Sequence, residues 1–446
     1  MSDALIMGRD EALDICEGTL AASSADATEV LLVARRSGLT RFAGNHIHQS
    51  VSETNASVTV RAAMGSSVGV ASTNDTSADG LADVAERAGR LASLATPDEQ
   101  FPGLPKPGDV PQPLRGVQAT TEFGPAERAK AVGTCIEVAR ERRQTAAGAC
   151  SAAVTARAVA NSRGLRAWQE TTHANLRMVF SGADSSGYAE AHSEDASEIA
   201  PRALAEVAAD KCARSASPTA VEPGRYDVIL EPPAVADLLS ALGSTAFNAL
   251  AWHEGRSPLC GRLGEQVCGE NVTIFDDGLD PRTLRQSFDF EGVPKRRVEL
   301  VTEGVATGLV HDTRTAALMG ASSTGHALPP DSPWGAVPTN IFLQPGGAGV
   351  YEMIAATDRG LLVTRFHYTN LVNPRQAILT GMTRDGTFLI QDGEVAGPVR
   401  NLRFTESILE ALSRVSMIGR DGRLCGRTWA PALKIHDFRF SGATEF

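Results

Sequence analysis

The first hundred residues alternate between helical and strand-like patterns of apolar side chains. Residues 9–23 and 81–94 place apolar side chains at the spacing of amphipathic helices. The segments between them alternate apolar and polar positions or are rich in β-branched residues, which predicts strands. These predicted strands are 28–36, 39–50, 56–64 and 66–73. Helices flanking consecutive strands predict an α/β layer with an antiparallel sheet.

A second block of the same kind follows a proline-rich stretch. Six prolines between residues 97 and 113 predict an extended connector, because proline neither continues a helix nor donates to a strand ladder. Helices are predicted after it at 125–142 and 201–213. The predicted strands of this block are 148–159, 166–171 and 174–181, with a tight turn at 161–164.

The second half of the chain is dominated by strand patterns. A strand at 225–231 leads into a strongly apolar segment, 234–252, which predicts one buried helix. Short strands separated by glycine-rich turns follow residue 270, with turns predicted at 384–386 and 391–393 and a last strand at 432–442. The predicted fold class is α+β, with an N-terminal α/β half that holds an antiparallel sheet and a β-rich C-terminal half. The predicted regions are an N-terminal domain 1–96, a linker 97–114, a central region 115–220 and a C-terminal domain 221–446.

Composition narrows the class of protein and its location. Of the 446 residues, 42% are hydrophobic and 21% are charged, which is typical of a globular protein. The net charge of −11 disfavours nucleic acid as a partner, because phosphate contacts need clustered Lys and Arg. The sequence contains no pattern of a signal peptide or a transmembrane helix, and its seven cysteines form no CxxC pair. We therefore expect a cytoplasmic protein with no membrane association.

Several long blocks resemble the TldD/PmbA family, once called modulators of DNA gyrase. These blocks are 39–62, 254–278, 288–327 and 381–419, so the resemblance covers nearly the whole chain in the family's order. The block 288–327 carries the most specific signature. Its matching positions are Asp289, Glu291, Gly292, Pro294, Gly304, Gly308, Asp312, Ala316, Thr324 and Gly325.

The resemblance implies a TldD/PmbA-type fold whose chains pair around a substrate cavity. TldD-like chains of the family bind zinc through an HExxxH motif on a helix and a distant cysteine, whereas TldE-like chains lack these ligands. The pair cleaves unfolded or short peptides. The Glu-Gly-Arg-Ser run at 254–257 resembles the TldE-like version. The resemblance thus implies a TldD-like catalytic partner that carries the zinc, or else a homodimer, and a chain that is not catalytic by itself.

His253 and Glu254 are the candidates for metal chemistry in this chain. A neutral imidazole binds zinc, and an adjacent glutamate can take a proton from the metal-bound water. The next helical turn offers only Ser257 and Pro258, and neither replaces a second histidine. By resemblance, Cys425 falls near the family's third ligand, so an altered site of His253, Glu254 and Cys425 stays open. The alternative, a surface pair at a helix end without metal, is favoured.

The segment 322–346 is the candidate for peptide binding. By resemblance it lies along the substrate cavity, where an extended peptide pairs with a strand edge and main-chain hydrogen bonds supply the affinity. The residues placed there are Thr324, Gly325, Thr339 and Asn340. A structural loop explains the same segment equally well.

Three functional hypotheses remain from the sequence. The first is a metal-free TldE-like subunit of a TldD/TldE-type metallopeptidase. The second is a self-sufficient, divergent zinc metallopeptidase that uses Glu254, His253 and Cys425. The third is a non-enzymatic regulatory binding protein of the gyrase-modulator type.

Overall fold

A computed structural model describes residues 7–109 and 113–443. Part of the predicted linker, residues 110–112, lies outside these ranges. The helices are α1 Arg9–Ala22, α2 Ala78–Leu94, α3 Gln118–Thr121, α4 Pro125–Glu141, α5 Pro201–Arg214, α6 Pro232–Thr245, α7 Ala249–His253, α8 Thr313–Leu318, α9 Val350–Ala355 and α10 Ile408–Ser413. Short 3-10 turns occur at Ala196–Glu198 and Pro374–Gln376.

The strands of the N-terminal half are β1 Ala27–Ala43, β2 His46–Met64, β3 Ser67–Thr73, β4 Thr145–Asn161, β5 Arg166–Ser181 and β6 Ser186–Ser193. The strands of the C-terminal half are β7 Arg225–Leu230, β8 Ile274–Asp276, β9 Val298–Thr302, β10 Val305–Ala306, β11 Ile341–Leu343, β12 Arg359–Asn373, β13 Ile378–Gln391, β14 Glu394–Pro398, β15 Leu402–Ser407, β16 Val415–Cys425 and β17 Thr428–Ala443.

The N-terminal half is one antiparallel sheet in the order β3-β2-β1-β4-β5-β6. Because side chains alternate across a strand, the two faces of β1 meet different neighbours. Val30 and Leu32 pack in a cluster with residues of α1 and α2, whereas Leu31 packs with Phe288 of the C-terminal half. The sheet is therefore covered on both faces around Val30–Leu32, whereas residues 46–55 of β2 are exposed. It also joins the predicted regions 1–96 and 115–220, whose boundaries stay a prediction.

The C-terminal half is an 11-stranded sheet that closes on itself. Strands β17, β15, β13, β12 and β7 form a ring, because β7 pairs both with β12 and with β17. Helix α6 packs against β12 and β17. Its apolar residues Val235 and Leu239 belong to the largest hydrophobic cluster, together with Phe404 and Phe438. This half is β-rich, and the α+β class predicted from the sequence is confirmed.

Four local predictions are wrong. The strands predicted at 166–171 and 174–181 are one continuous strand, β5. The predicted strand 39–50 contains a turn, because Gly44 and Asn45 both have positive φ and reverse the chain between β1 and β2. The predicted helix 234–252 is interrupted after Thr245, and it restarts where the Asn248 side chain accepts a hydrogen bond from the Ala251 N–H. The predicted turn at 384–386 is a β-bulge inside β13, with Asp385 and Gly386 both opposite Thr364.

The predicted turn at 391–393 is confirmed, since β13 ends at Gln391 and β14 begins at Glu394. The predicted turn at 161–164 is also confirmed between β4 and β5. Among the residues that the structure describes, no helix combines the length and the apolar character that crossing a membrane requires.

Candidate functional site

His253 and Glu254 lie at the exposed end of the five-residue helix α7. The Glu254 carboxylate accepts a hydrogen bond from Arg256 Nε at 2.7 Å, and both side chains are more than 40% exposed. Ser257 is buried, and its Oγ donates to the Ala246 carbonyl at 2.8 Å. The turn after His253 is therefore hydrogen-bonded to the residue that follows α6.

Cys425 lies in a different environment, at the buried end of β16. Its charged neighbours are Arg423 and Glu190. Burial raises the pKa of the thiol to about 12, so the sulfur keeps its proton at neutral pH. The neighbour that the fold brings to Cys425 is therefore Glu190 of the N-terminal sheet, a residue that sequence reasoning did not single out.

Glu190 belongs to a polar row on β6 that faces the C-terminal half. Tyr188, Glu190 and His192 alternate along the strand and so share one face. The Tyr188 hydroxyl donates to Glu190 at 2.9 Å, and His192 Nε2 lies 3.2 Å from the same carboxylate oxygen. The guanidinium of Arg365 stacks over the Tyr188 ring at 4.2 Å. We call the set Tyr188, Glu190, His192, Asp237 and Cys425 the interdomain cluster.

Asp237 brings a second carboxylate to this cluster from α6. Burial and the nearby charge of Glu190 raise its pKa to about 7. Burial alone would raise the pKa of Glu190 as well, but hydrogen bonds from His192 and Tyr188 outweigh it and the pKa is lowered. Two carboxylates whose pKa values move apart can act as proton acceptor and donor at neutral pH.

A cleft of about 630 Å³ opens between β6 and β16, beside this cluster. Glu190 and His192 line one side of it, and Arg423 and Trp429 line the other. His173 extends the row behind the cleft, with Nε2 at 3.1 Å from His192 Nδ1. Burial, followed by the proximity of His192, lowers the pKa of His173 to about 4, so this imidazole is neutral at pH 7.

The donors around Cys425 do not fit a structural or catalytic zinc ion. Zinc needs at least three converging protein donors, whereas the charged neighbours of this thiol are one carboxylate, Glu190, and the cation of Arg423. Within residues 7–109 and 113–443, no group of three or more His, Cys, Asp or Glu side chains is arranged to hold a metal. His253, Glu254 and Cys425 are thus not assembled into such a group.

The four residues predicted to bind peptide gather around the buried carboxylate of Asp276. Asp276 Oδ2 accepts the Asn340 N–H at 2.6 Å, and Asp276 Oδ1 lies 2.8 Å from His326 Nε2. The other ring nitrogen of His326 lies 2.9 Å from the Thr324 hydroxyl. Thr339 accepts a hydrogen bond at 2.9 Å from Lys295. Thr324 and Thr339 are half-buried, whereas Gly325 and Asn340 are buried.

Charges dominate the centre of this network. Lys295 Nζ lies 3.8 Å from Asp276, and both side chains are almost fully buried. Burial opposes the ionised form of Asp276, but the charge of Lys295 and the hydrogen bonds from His326 and the Asn340 N–H prevail and hold its pKa at about 2. Burial lowers the pKa of Lys295. Asp276 is therefore a permanent buried anion that holds Lys295, His326 and Asn340 in place.

The signature carboxylates Asp289 and Glu291 connect the two halves of the molecule. Asp289 accepts hydrogen bonds from the backbone N–H groups of Glu291, Val293 and Ala327 at 2.9 Å each. Glu291 accepts two hydrogen bonds from Arg61 of β2 at 3.0 and 3.1 Å. The signature therefore supports the backbone around the Asp276 network and joins it to the N-terminal sheet.

Sequence reasoning did not single out Glu190, Asp237, Lys295 or His326. One usable signal was present, because Asp237 is the only charged residue of the apolar helix α6. A lone carboxylate on a buried helix needs a partner or a raised pKa. A second signal was the alternation of Tyr188, Glu190 and His192 on a strand.

The sequence matches two family models. The model of the PmbA/TldA metallopeptidase C-terminal domain matches residues 223–442, and that of PmbA/TldA metallopeptidase domain 1 matches residues 28–92. A metalloprotease of Methanothermobacter thermautotrophicus is 33% identical over 214 residues, which are 46% of each chain. A metalloprotease TldD homologue of Haemophilus influenzae is 27% identical over 201 residues, which are 41% of each chain. The matches thus span less than half the length of these curated relatives.

Two solved structures share the fold over nearly the whole chain. TldE from Thermococcus kodakarensis superposes with a TM-score of 0.87 at 23% identity, covering 96% of this chain and 99% of the other. A protein described as a modulator of DNA gyrase from Thermotoga maritima gives 0.86 at 19% identity, covering 96% and 100%. The matched domains define a metallopeptidase-like chain. It belongs to the PmbA/TldD family.

Proposed function

We propose that this chain is the metal-free, TldE-like subunit of a TldD/TldE-type metallopeptidase that degrades or processes unfolded or short peptides. The observation that carries the proposal is the environment of Cys425, which is buried at the end of β16 with Arg423 and Glu190 as its charged neighbours. His253 lies on an exposed helix end that is followed by Ser257 and Pro258. The zinc of the assembly then belongs to a TldD-like partner.

The far end of β12 supports a partner subunit. In the described part of the chain, β12 has no partner strand on its β7 side beyond Val363. Tyr368 and Val372 lie on this segment with 77% and 58% exposure, and Leu371 lies between them. An unpaired strand edge with exposed apolar side chains is a typical protein interface. We assign this edge to the TldD-like subunit.

Peptide binding in this proposal uses the network around Asp276. Thr324 and Thr339 are half-buried and contact the peptide. Gly325 and Asn340 are buried and fix the backbone next to these two threonines. Replacing Thr339 with Val removes a hydroxyl and keeps the side-chain shape. We expect it to raise the KM of the assembled peptidase and to leave kcat nearly unchanged.

Co-expression with a TldD-like chain tests the proposal. We expect a stable complex with one zinc per pair and peptidase activity that neither chain has alone. The double variant Tyr368→Ser/Val372→Ser should weaken the complex, whereas Leu94→Ser, an equally exposed apolar site on α2, should not. Failure to associate would remove the proposal. One zinc per isolated chain, lost in His253→Ala, would instead support the self-sufficient metallopeptidase.

A further inference from the structure

A groove of about 710 Å³ lies in the C-terminal half, and none of its lining residues lines the cleft beside Cys425. Four arginines from separate parts of the fold converge on it. Arg225 begins β7, Arg262 follows α7, Arg375 lies in the turn between β12 and β13, and Arg439 lies near the end of β17. Arg225 and Arg439 are directly opposite each other on paired strands. We call this site the arginine groove.

The carboxylates in the groove do not neutralise its arginines. Glu406 is buried, and its carboxylate accepts a hydrogen bond from Arg414, outside the groove, and one from the backbone N–H of Arg439. Glu410 also lines the groove. The lining therefore holds four cations against two carboxylates, one of which is already paired. This excess is opposite in sign to the net charge of −11 of the whole chain.

The guanidinium groups have few partners of their own. Arg225 donates to the Asp437 carbonyl at 2.9 Å. Arg262 lies 3.8 Å from Glu265 and donates to the Gln266 carbonyl at 3.4 Å. Across residues 7–109 and 113–443, the side chains of Arg375 and Arg439 have no hydrogen bond or ion pair. Gathering such cations costs free energy through mutual repulsion, and a bound anion removes that cost.

Part of the groove's lining is apolar. Val267, Ile378 and Leu409 form this part, which we call the apolar floor, and Val267 and Leu409 are buried. Ligand sites of several hundred cubic ångströms combine such an apolar floor with a few convergent polar groups. The planar guanidinium binds carboxylate and phosphate oxygens through two parallel hydrogen bonds, which an ammonium group cannot do.

We propose that the arginine groove binds a small anionic ligand through its carboxylate or phosphate groups. Arg375 and Arg439 supply the bidentate contacts, since their donors are unused. Arg225 and Arg262 add charge at the rim, and the apolar floor accepts the rest of the ligand. The site is independent of the peptidase function proposed above, because none of its arginines belongs to the assigned subunit edge, to the Asp276 network or to the surroundings of Cys425.

Isothermal titration calorimetry of the full chain in low salt tests this site with two probes, citrate for carboxylate and inorganic pyrophosphate for phosphate. We expect at least one to bind at one per chain, with affinity that falls as salt rises. Binding of one probe alone identifies the group that the site prefers. Arg375→Ser should weaken binding about tenfold, and the double variant Arg375→Ser/Arg439→Ser about a hundredfold, since charged hydrogen bonds contribute that much each.

Two further variants make the result specific. Arg375→Lys keeps the positive charge but cannot form two parallel hydrogen bonds, so its affinity for the probe should lie between those of Arg375→Ser and the unmodified chain. Arg202→Ser/Arg420→Ser removes two exposed arginines far from the groove lining and should bind like the unmodified chain. All the substituted side chains are exposed, so folding is preserved. No binding of either probe, or equal binding by the double groove variant, would overturn the proposal.

Discussion

The Nε2 atom of His326 lies 2.8 Å from Oδ1 of Asp276, and neither side chain is exposed to solvent. Burial and the neighbouring Lys295 lower the pKa of His326, so the imidazole is neutral at pH 7 and donates its Nε2–H to the carboxylate. The same carboxylate accepts the Asn340 N–H. One buried anion thus orders Thr324, through His326, and Asn340, two of the residues assigned to peptide binding.

Asp276→Asn should destabilise the fold strongly. The amide cannot balance the buried charge of Lys295 or accept every hydrogen bond that the carboxylate accepts, so we expect a loss of about 3 kcal/mol in the free energy of unfolding. Urea unfolding at pH 7 measures it. The matched control is Glu352→Gln, which breaks an exposed pair with Arg420 and should leave the free energy of unfolding almost unchanged. Equal effects of the two substitutions would contradict the role of Asp276.

The pKa of Asp237 predicts a pH-dependent stability. The carboxyl has a pKa of about 7 in the folded chain and a model value of 3.8, so the folded state binds the proton more tightly. Between about pH 4 and pH 7 the contribution of this group to stability falls as the pH rises. Asp237→Asn removes that titration. We expect the variant to be more stable than the unmodified chain at pH 8, by about 1–3 kcal/mol, and equal to it at pH 4.

Urea unfolding of both chains at several pH values gives this difference. Leu94→Ser on α2 provides a control, since it removes no ionisable group and its effect on the free energy of unfolding should be the same at pH 4 and pH 8. A difference between Asp237→Asn and the unmodified chain that does not change with pH would refute the assigned titration.

Arg61 joins the two halves of the molecule, so we expect its replacement to lower the stability strongly. Its guanidinium lies 2.8 Å from Glu29 of β1 and 3.0 Å from Glu291 of the signature. Burial raises the pKa of Glu29 to about 7 even though Arg61 opposes the shift. Arg61→Leu would leave these two carboxylates without their cation, at a cost of about 3–5 kcal/mol. Thermal unfolding should show the loss, and Arg87→Leu, at an exposed pair on α2, should show almost none.

Most helices, strands and turns could be predicted from local sequence patterns, because their formation depends mainly on residues that are close together in the chain. The turn at 161–164 was predictable since Asn161 accepts the N–H groups of Arg163 and Leu165, and Gly164 has φ of 90°. The break after Thr245 was not, because it depends on Asn248 capping a helix inside an apolar segment. Apolar periodicity continues through such a break.

The interdomain cluster escaped prediction for a different reason. Glu190, Asp237 and Cys425 belong to three elements that are far apart in sequence, and only the packing of β6 against the C-terminal half brings them together. No pattern of sequence spacing predicts a contact between residues that lie so far apart in the chain. The resemblance supplied Cys425 as a candidate, but its surroundings decide its chemistry, and those come from the fold.

Gly325 gives the sharpest test of the backbone in the signature region. Its φ is +75°, and a Cβ atom there would lie 2.2 Å from the Pro294 carbonyl oxygen, a distance that no packed structure tolerates. Gly325→Ala must therefore move the backbone that carries Thr324 and His326. We expect a loss of about 2 kcal/mol or more in stability, and weaker peptide binding in the assembled peptidase. Gly347→Ala, where a Cβ meets no atom within 4 Å, should change neither. Unaltered urea unfolding of Gly325→Ala would show that this backbone is not held as described.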